Sequence, residues 1–403
     1  MPNSIAIAQR EPAAADRPEI AALVDRARTL IPVLRERGRA ADDARRLPQE
    51  TIDDLLDAGI LQFMAPRRFG GEEAGLTTFF DLGLALGEGD GSTSWLFGIL
   101  AAHHWILSHF PIETQEALYG DRNYALFPLT FSGKGGTARR VAGGYRVSGH
   151  WSFASGIDFS DWVGALARVD GTENRTVNLL MPKDQVKVVD NWFMAGMRAT
   201  GSRDFIVEDV FVPEAFSLDQ DALMSGRTPG AAAFPDYHGL RTPLHIVLLL
   251  ATAGAAFGLA KRAIDEFIAF TRGRSGYGGI DHAARASTQI RVSAALARWG
   301  AFHDRVRAQF VEIDAQVARG EKFSQEQRLR YRRDVAVGAA ECGAIINDIV
   351  VAAGARSQHL SSPFQLIQRD INTVCTHVIL DTEDANELYG KLMLGQELGP
   401  VRQ

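Results

Sequence analysis

From Leu240 onward apolar residues recur with helical spacing in four long stretches, 244–271, 284–319, 325–353 and 363–394, with Gly273, Gly320 and Gly354 near the ends of the first three. Helices this long, with alanine-rich faces and short connections, hide their apolar sides by packing on one another. The pattern predicts an antiparallel four-helix bundle over residues 219–403.

The periods that precede the bundle narrow the fold further. Asp16 and Pro18 supply a cap and a first-turn proline before the helical face Ile20, Leu23, Val24, Ala27, Leu30, Ile31 and Leu34. Pro48 opens a second helix with Ile52, Leu55 and Leu56 on one side and Gly59 at its end, and further helices are expected over 78–86 and 92–109. From Tyr124 the period changes. Gly143-Gly144 separates 139–141 from 145–148, and Asp170-Gly171 separates 163–169 from 176–181, both hairpin patterns. Phe205, Val207 and Val210 to Val212 carry the β region to Pro213, and 219–236 reads as a connecting loop. The expected class is α+β: a helical domain over 1–123, a β-domain over 124–218 and the bundle over 219–403.

Composition excludes several functions. With 46% hydrophobic and 23% charged residues the 403-residue chain is an ordinary folded protein. Its 43 Lys and Arg against 49 Asp and Glu are scattered, so no nucleic-acid partner is expected. Cys342 and Cys375 lack CxxC spacing, and His103, His104 and His109 lack the HExxH arrangement, so neither a disulfide framework nor a metal site is expected. The uncharged stretch 246–260 is shorter than the roughly 20 residues of a membrane span and reads as a buried bundle helix. Residues 1–12 show no apolar run behind a basic start, which makes the cytoplasm the expected location. Two glycine patterns, Ser132-Gly133-Lys134-Gly135-Gly136-Thr137 and Gly196 to Gly201-Ser202, lack the spacing or the lysine of a phosphate loop. No GxGxxG opens a βαβ unit, so a nicotinamide site of the usual kind is not expected.

The informative segment is Gly149-His150-Trp151-Ser152-Phe153-Ala154-Ser155-Gly156, followed by Gly196-Met197-Arg198-Ala199-Thr200-Gly201-Ser202 and Val210-Phe211-Val212-Pro213. With Arg274-Ser275-Gly276-Tyr277-Gly278, Gly354 and Arg369-Asp370, in this order and spacing, the chain resembles the acyl-CoA dehydrogenase fold from Ile20 to Gly399. The resemblance implies a flavin. Ser155 falls where a hydroxyl bonds the flavin near N5, Phe153 where a ring covers the isoalloxazine, and Arg274 where an arginine reaches the phosphates, often across a subunit interface; Gly354 belongs to the same cofactor pocket. Taken alone, Phe153 reads as sheet core, Ser155 as a strand-end turn residue and Arg274 as a solvated helix-end charge.

The resemblance then forks on the catalytic group. Acyl-CoA dehydrogenases commonly carry a carboxylate in a Tyr-Glu-Gly run shortly after the late Arg-Asp, whereas this chain continues Arg369-Asp370-Ile371-Asn372-Thr373-Val374-Cys375-Thr376-His377. A histidine there is similar to the flavin-dependent monooxygenase branch, which also carries a histidine on the last N-terminal helix. Ala102-His103-His104-Trp105 supplies one, and because successive helix residues point about 100° apart only one of the two can face a pocket. The family's spacing to the Ser155 segment favours His104. The resemblance implies His377 as general base, His104 as the residue that positions the substrate, and Ser155 as a restraint on N5 that protects the C4a-hydroperoxyflavin; Trp95 and Thr130 would line the substrate pocket. It further implies reduced flavin (FADH2 or FMNH2), O2, a small aromatic substrate such as a phenol or indole, a separate NAD(P)H-flavin reductase, and a homotetramer. The alternatives are an acyl-CoA dehydrogenase or oxidase using a displaced carboxylate such as Asp381 or Glu383, an N- or S-oxidising monooxygenase, and a flavin-binding scaffold without chemistry.

Overall fold

A computed structural model describes residues 18–131, 135–272, 274 and 281–399. The Asp16 cap, residues 1–12, Ser132 to Lys134, Gly273 and the 275–278 part of the Arg274 motif lie outside these residues.

The N-terminal helices are α1 (Pro18–Ala44), α2 (Gln49–Asp57), α3 (Leu76–Gly89), α4 (Gly91–Leu107) and α5 (Ile112–Tyr119). Asp90 starts α4 by accepting from Thr93 N at 2.8 Å, as an N-cap carboxylate does. The strands follow: β1 (Leu129–Thr130), β2 (Gly136–Val141), β3 (Gly144–Ala154), β4 (Trp162–Val169), β5 (Thr176–Pro182), β6 (Lys187–Val189), β7 (Arg203–Pro213) and β8 (Ser217–Asp219). They form one sheet in the order β6-β7-β3-β2-β4-β5-β8, with β1 parallel to β4. Gly143, at φ +80°, turns the β2–β3 hairpin, and Gly171, at φ +75°, the β4–β5 hairpin, as Gly143-Gly144 and Asp170-Gly171 predict.

Two sequence expectations differ from the structure. The 219–236 stretch holds two short helices, α6 (Gln220–Ser225) and α7 (Pro229–Ala233). Each is started by a side-chain cap, Asp219 accepting from Asp221 N and Ala222 N and Thr228 accepting from Ala231 N, and each is too short to show a period. In the bundle, α8 (Leu244–Thr271), α9 (Ala286–Ala318) and α10 (Gln325–Ala353) match the expected stretches closely, but 363–394 is not one helix. It divides into α11 (Pro363–Val374) and α12 (Thr382–Met393), joined by a 3-10 turn over Val378–Leu380. Asp381 causes the restart by accepting from Glu383 N and Asp384 N.

The two helical regions share one hydrophobic core, in which Leu82, Leu96 and Leu100 meet Val247, Leu250, Phe257 and Ile346. Close backbone approach makes this possible. A Cβ on Gly254 of α8 would stand 2.6 Å from Gly83 Cα of α3, and one on Gly98 of α4 would stand 2.1 Å from the Ala251 carbonyl oxygen. Both α8 and α10 are long and apolar enough to cross a membrane by composition, yet 83% of the most apolar window of α8 is buried inside this fold. The sheet has a second core of its own around Tyr145, Trp151, Val163, Leu179 and Phe205.

Candidate active site

The site begins where β3 loses its register with β7, between Trp151 and Ala154. The irregularity places Phe153 at φ +65°, a left-handed conformation that a bulky residue adopts only under strain. Its ring is consequently turned outward and 67% exposed, edge-on to Trp192 at 6.0 Å between centroids. Phe153 is therefore not sheet core. Two residues on, Ser155 is buried, and its Oγ lies 2.6 Å from Ser202 Oγ and accepts from Trp95 Nε1 at 3.3 Å.

Trp95 links the sheet to the helices. It stands on α4, and its indole meets the His377 imidazole edge to face at 5.3 Å. His377 follows α11, at the turn that divides the expected helix, where its Nδ1 accepts from Ile379 N at 3.4 Å. Burial pushes its pKa down to about 4. The sequence-predicted residues Ser155, Trp95 and His377 thus come together from three separate elements. Thr130, at the end of β1, is also buried, and among the described residues its Oγ1 has no hydrogen-bond partner.

The sequence reading favours His104, and the hydrogen bonds hold the two rings differently. His104 Nδ1 donates to Leu100 O at 2.9 Å, and Nε2 accepts from Ala125 N at 3.1 Å, so both nitrogens are engaged by backbone. His103 Nδ1 meets Phe127 O at 2.7 Å, while Nε2 has no partner among the described residues. A carbonyl only accepts, so Nδ1 carries the proton and Nε2 presents a lone pair. Burial lowers the pKa of both rings to about 4, which keeps them neutral at pH 7.

The remaining candidates lie apart from this cluster. Arg274, beyond the end of α8, covers the Phe270 ring at 4.2 Å and forms no ion pair among the described residues. Gly354 ends α10 at φ +75° with open space around it. No hydrogen bond or ring contact among the described residues joins either of them to Phe153, Ser155 or His377. Asp381 is engaged in starting α12, and Glu383 is exposed on its first turn, so neither supplies the displaced carboxylate of the dehydrogenase reading. Among the described residues no group of three His, Cys, Asp or Glu side chains could hold a metal ion. Sequence reasoning did not single out Trp192 or the hydroxyls of Thr200 and Ser202. The last two stood in a glycine-rich segment that was rejected as a phosphate loop and counted toward the family resemblance, with no role for either hydroxyl.

The chain resembles known proteins along most of its length. Residues 250–382 match the acyl-CoA dehydrogenase C-terminal domain. The pigment production hydroxylase of Rhodococcus sp. (strain ATCC 21145) is 30% identical over 377 residues, 92% of this chain and 96% of that protein. The FADH(2)-dependent resorcinol hydroxylase, oxygenase component, of Rhizobium sp. (strain MTP-10005) is 30% identical over 388 residues, 93% and 94% of the two chains. This chain belongs to the flavin-dependent monooxygenases of the acyl-CoA dehydrogenase fold. The crystal structure of the HsaA monooxygenase from M. tuberculosis superposes on this monooxygenase with a TM-score of 0.88 at 26% identity, covering 94% of this chain and 98% of that one. The residues at hand fit the flavin that the family uses. A strained, outward-facing Phe153 offers an apolar plate, Ser155 a buried hydroxyl beside it, and Thr130 a hydroxyl without a hydrogen-bond partner among the described residues.

Proposed function

We propose that this monooxygenase is the oxygenase component of a two-component system that hydroxylates a small aromatic substrate, a phenol or an indole-like ring, with reduced flavin delivered by a separate NAD(P)H-flavin reductase. The observation that carries the substrate class is the His103 ring, held by Phe127 O in the tautomer whose Nε2 accepts a proton. When bound, the reduced flavin would supply two electrons to activate dioxygen, one atom of which enters the substrate ring. Phe153 and Trp192 would shape the face that receives the flavin, and Ser155 would hold it at N5. His103 Nε2 takes the proton from the phenol hydroxyl or indole N–H, which raises electron density on the ring carbon to be oxidised. His377 has the opposite polarity. Because its Nδ1 accepts from Ile379 N, its Nε2 carries the proton in the neutral ring and donates, so we assign it the donor role rather than that of base.

Apolar side chains exposed on the bundle, including Ile290, Val351, Leu360 and Leu394, support a homo-oligomer, which we take to be a tetramer. In such an assembly Arg274, which forms no ion pair among the described residues, is available to a flavin phosphate. The scattered charge and reduced cysteines support a cytoplasmic location.

Two measurements test the reading. The purified chain, given oxidised flavin with NADH or NADPH, should not turn over until a flavin reductase is added; steady pyridine-nucleotide oxidation at catalytic rates without one would overturn it. His103→Gln should lower the rate of hydroxylation by roughly 10²–10⁴, the usual loss for a general base, and a variant at wild-type rate would remove His103 from the chemistry.

A further inference from the structure

We propose that the buried hydroxyls of Ser155, Ser202 and Thr200 form a hydrogen-bond chain of fixed direction, which presents Ser155 to the flavin as an acceptor only and thereby selects the reduced over the oxidised cofactor. The inference rests on the placement of Ser155 at N5 under Proposed function.

The links are Ser155 Oγ to Ser202 Oγ at 2.6 Å, Ser202 Oγ to Thr200 Oγ1 at 2.8 Å, and Thr200 Oγ1 to the Met197 carbonyl at 2.8 Å. All three hydroxyls are buried. Each link needs one proton, and each hydroxyl supplies one. The last link ends on a carbonyl, which only accepts, so Thr200 donates there. Ser202 then donates to Thr200, and Ser155 to Ser202. At the other end Trp95 Nε1, a donor without acceptor capacity, points at Ser155 Oγ from 3.3 Å and reinforces the same direction. Reversing the chain would forfeit the bond from Thr200 to the Met197 carbonyl, one hydrogen bond between buried groups.

The terminal carbonyl is itself fixed. Met197 sits at φ +54°, its N–H donates to Asp370 Oδ1 at 2.6 Å, and its oxygen also accepts from Trp192 Nε1 at 3.1 Å. Ser155 therefore keeps a single lone pair for a ligand and no proton. Reduced flavin carries a hydrogen on N5 and can donate to that lone pair. Oxidised flavin has an unprotonated N5, which would face lone pair with lone pair. Ser202 and Thr200 are positioning residues that act through Ser155, and the preference is set by the direction of their protons.

The test is anaerobic titration of the full chain with oxidised FAD and with chemically reduced FAD, each read by protein fluorescence, to obtain two dissociation constants. Ser202→Ala removes the acceptor of the Ser155 proton, and Thr200→Val leaves Ser202 free to turn and donate to Ser155; either change releases Ser155 to donate. Both variants should lower the oxidised-to-reduced ratio of dissociation constants by about tenfold, equal to a fall of about 30 mV in the two-electron potential of the bound flavin. Thr200→Ser keeps the hydroxyl and should keep the ratio. The two variants remove different groups, so one that fails to fold leaves the other as the test. The proposal is overturned if the ratio stays at the wild-type value in a folded Ser202→Ala or Thr200→Val protein while Ser155→Ala weakens binding of reduced FAD. If Ser155→Ala leaves both constants unchanged, Ser155 does not touch the flavin, and the reading beneath the proposal falls with it.

Discussion

Replacing Gly98 by alanine tests whether the spacing of α4 and α8 sets the active site. The added Cβ would lie 2.1 Å from the Ala251 carbonyl oxygen, 2.8 Å from its carbon and 3.0 Å from its Cα. A carbon rests against a carbonyl oxygen at about 3.3 Å or more, so the helices must separate by roughly 1 Å. Overpacking of this kind costs about 1–3 kcal/mol, and because the obstacle is backbone rather than a movable side chain the upper end, about 3 kcal/mol, is expected. The displacement reaches the chemistry directly, since Trp95 and His103 stand on the same helix within two turns of Gly98. The Trp95 bond to Ser155 is already 3.3 Å long and would not survive an added ångström. Guanidinium unfolding gives the stability loss, and product formed against hydrogen peroxide released, with a reductase present, gives the coupling. We expect most reducing equivalents to appear as peroxide, with product formation reduced by about 10², as a misplacement of that size entails. A variant within about 0.5 kcal/mol of wild type and equally well coupled would refute the reasoning.

Three further outcomes are expected. Phe153→Gly relieves the left-handed strain, so the flavin-free protein should gain about 1 kcal/mol in denaturant unfolding while flavin affinity falls; unchanged affinity would separate Phe153 from the cofactor. Burial holds His104 near pKa 4 against about 6.5 unfolded, so the unfolded chain binds the extra proton and stability falls as pH drops from about 6.5 to about 4. His104→Gln should flatten that fall by up to about 1.4 kcal/mol per pH unit, and an unaltered slope would show that the ring is not held neutral. Burial, with Asp90 nearby, raises the Asp370 pKa to about 8, so its contribution is complete below about pH 4 and is lost as pH rises through about 8. Asp370→Asn, which still accepts from Met197 N, should remove that alkaline loss from the unfolding profile, and a slope equal to wild type would contradict the assignment.

Where the sequence was legible, the signal was periodic or capped. The apolar spacing of 244–271 yields α8, and Gly143-Gly144 the β2–β3 hairpin, because each depends on neighbours in the chain. The break after Val374 was not legible, since helical spacing continues across it and a single carboxylate, Asp381, restarts the helix. Which of the two rings keeps an Nε2 without a partner among the described residues was hidden for a different reason. It is decided by Phe127 O and Ala125 N, more than twenty residues along the chain, and no local pattern reports which ring a distant carbonyl will meet. Phe153 read alone as core because alternation along β3 turns it inward; the register shift that turns it outward is a property of the β3–β7 pairing. Ser202 is likewise meaningful only once β7 brings it beside Ser155.

The division of the interior into two cores has a consequence for how the molecule works in time. Trp95, His103 and His377 belong to the helical body, and Phe153 and Ser155 to the sheet. A molecule lying against both is a rivet across a joint. At a free concentration one hundredfold above its dissociation constant such a rivet adds about 2.7 kcal/mol to the assembled state, and the joint slackens by as much whenever it departs. An oxygenase that must receive its flavin reduced and surrender it oxidised would then tighten and loosen once per turnover, its rigidity borrowed from a guest that does not stay.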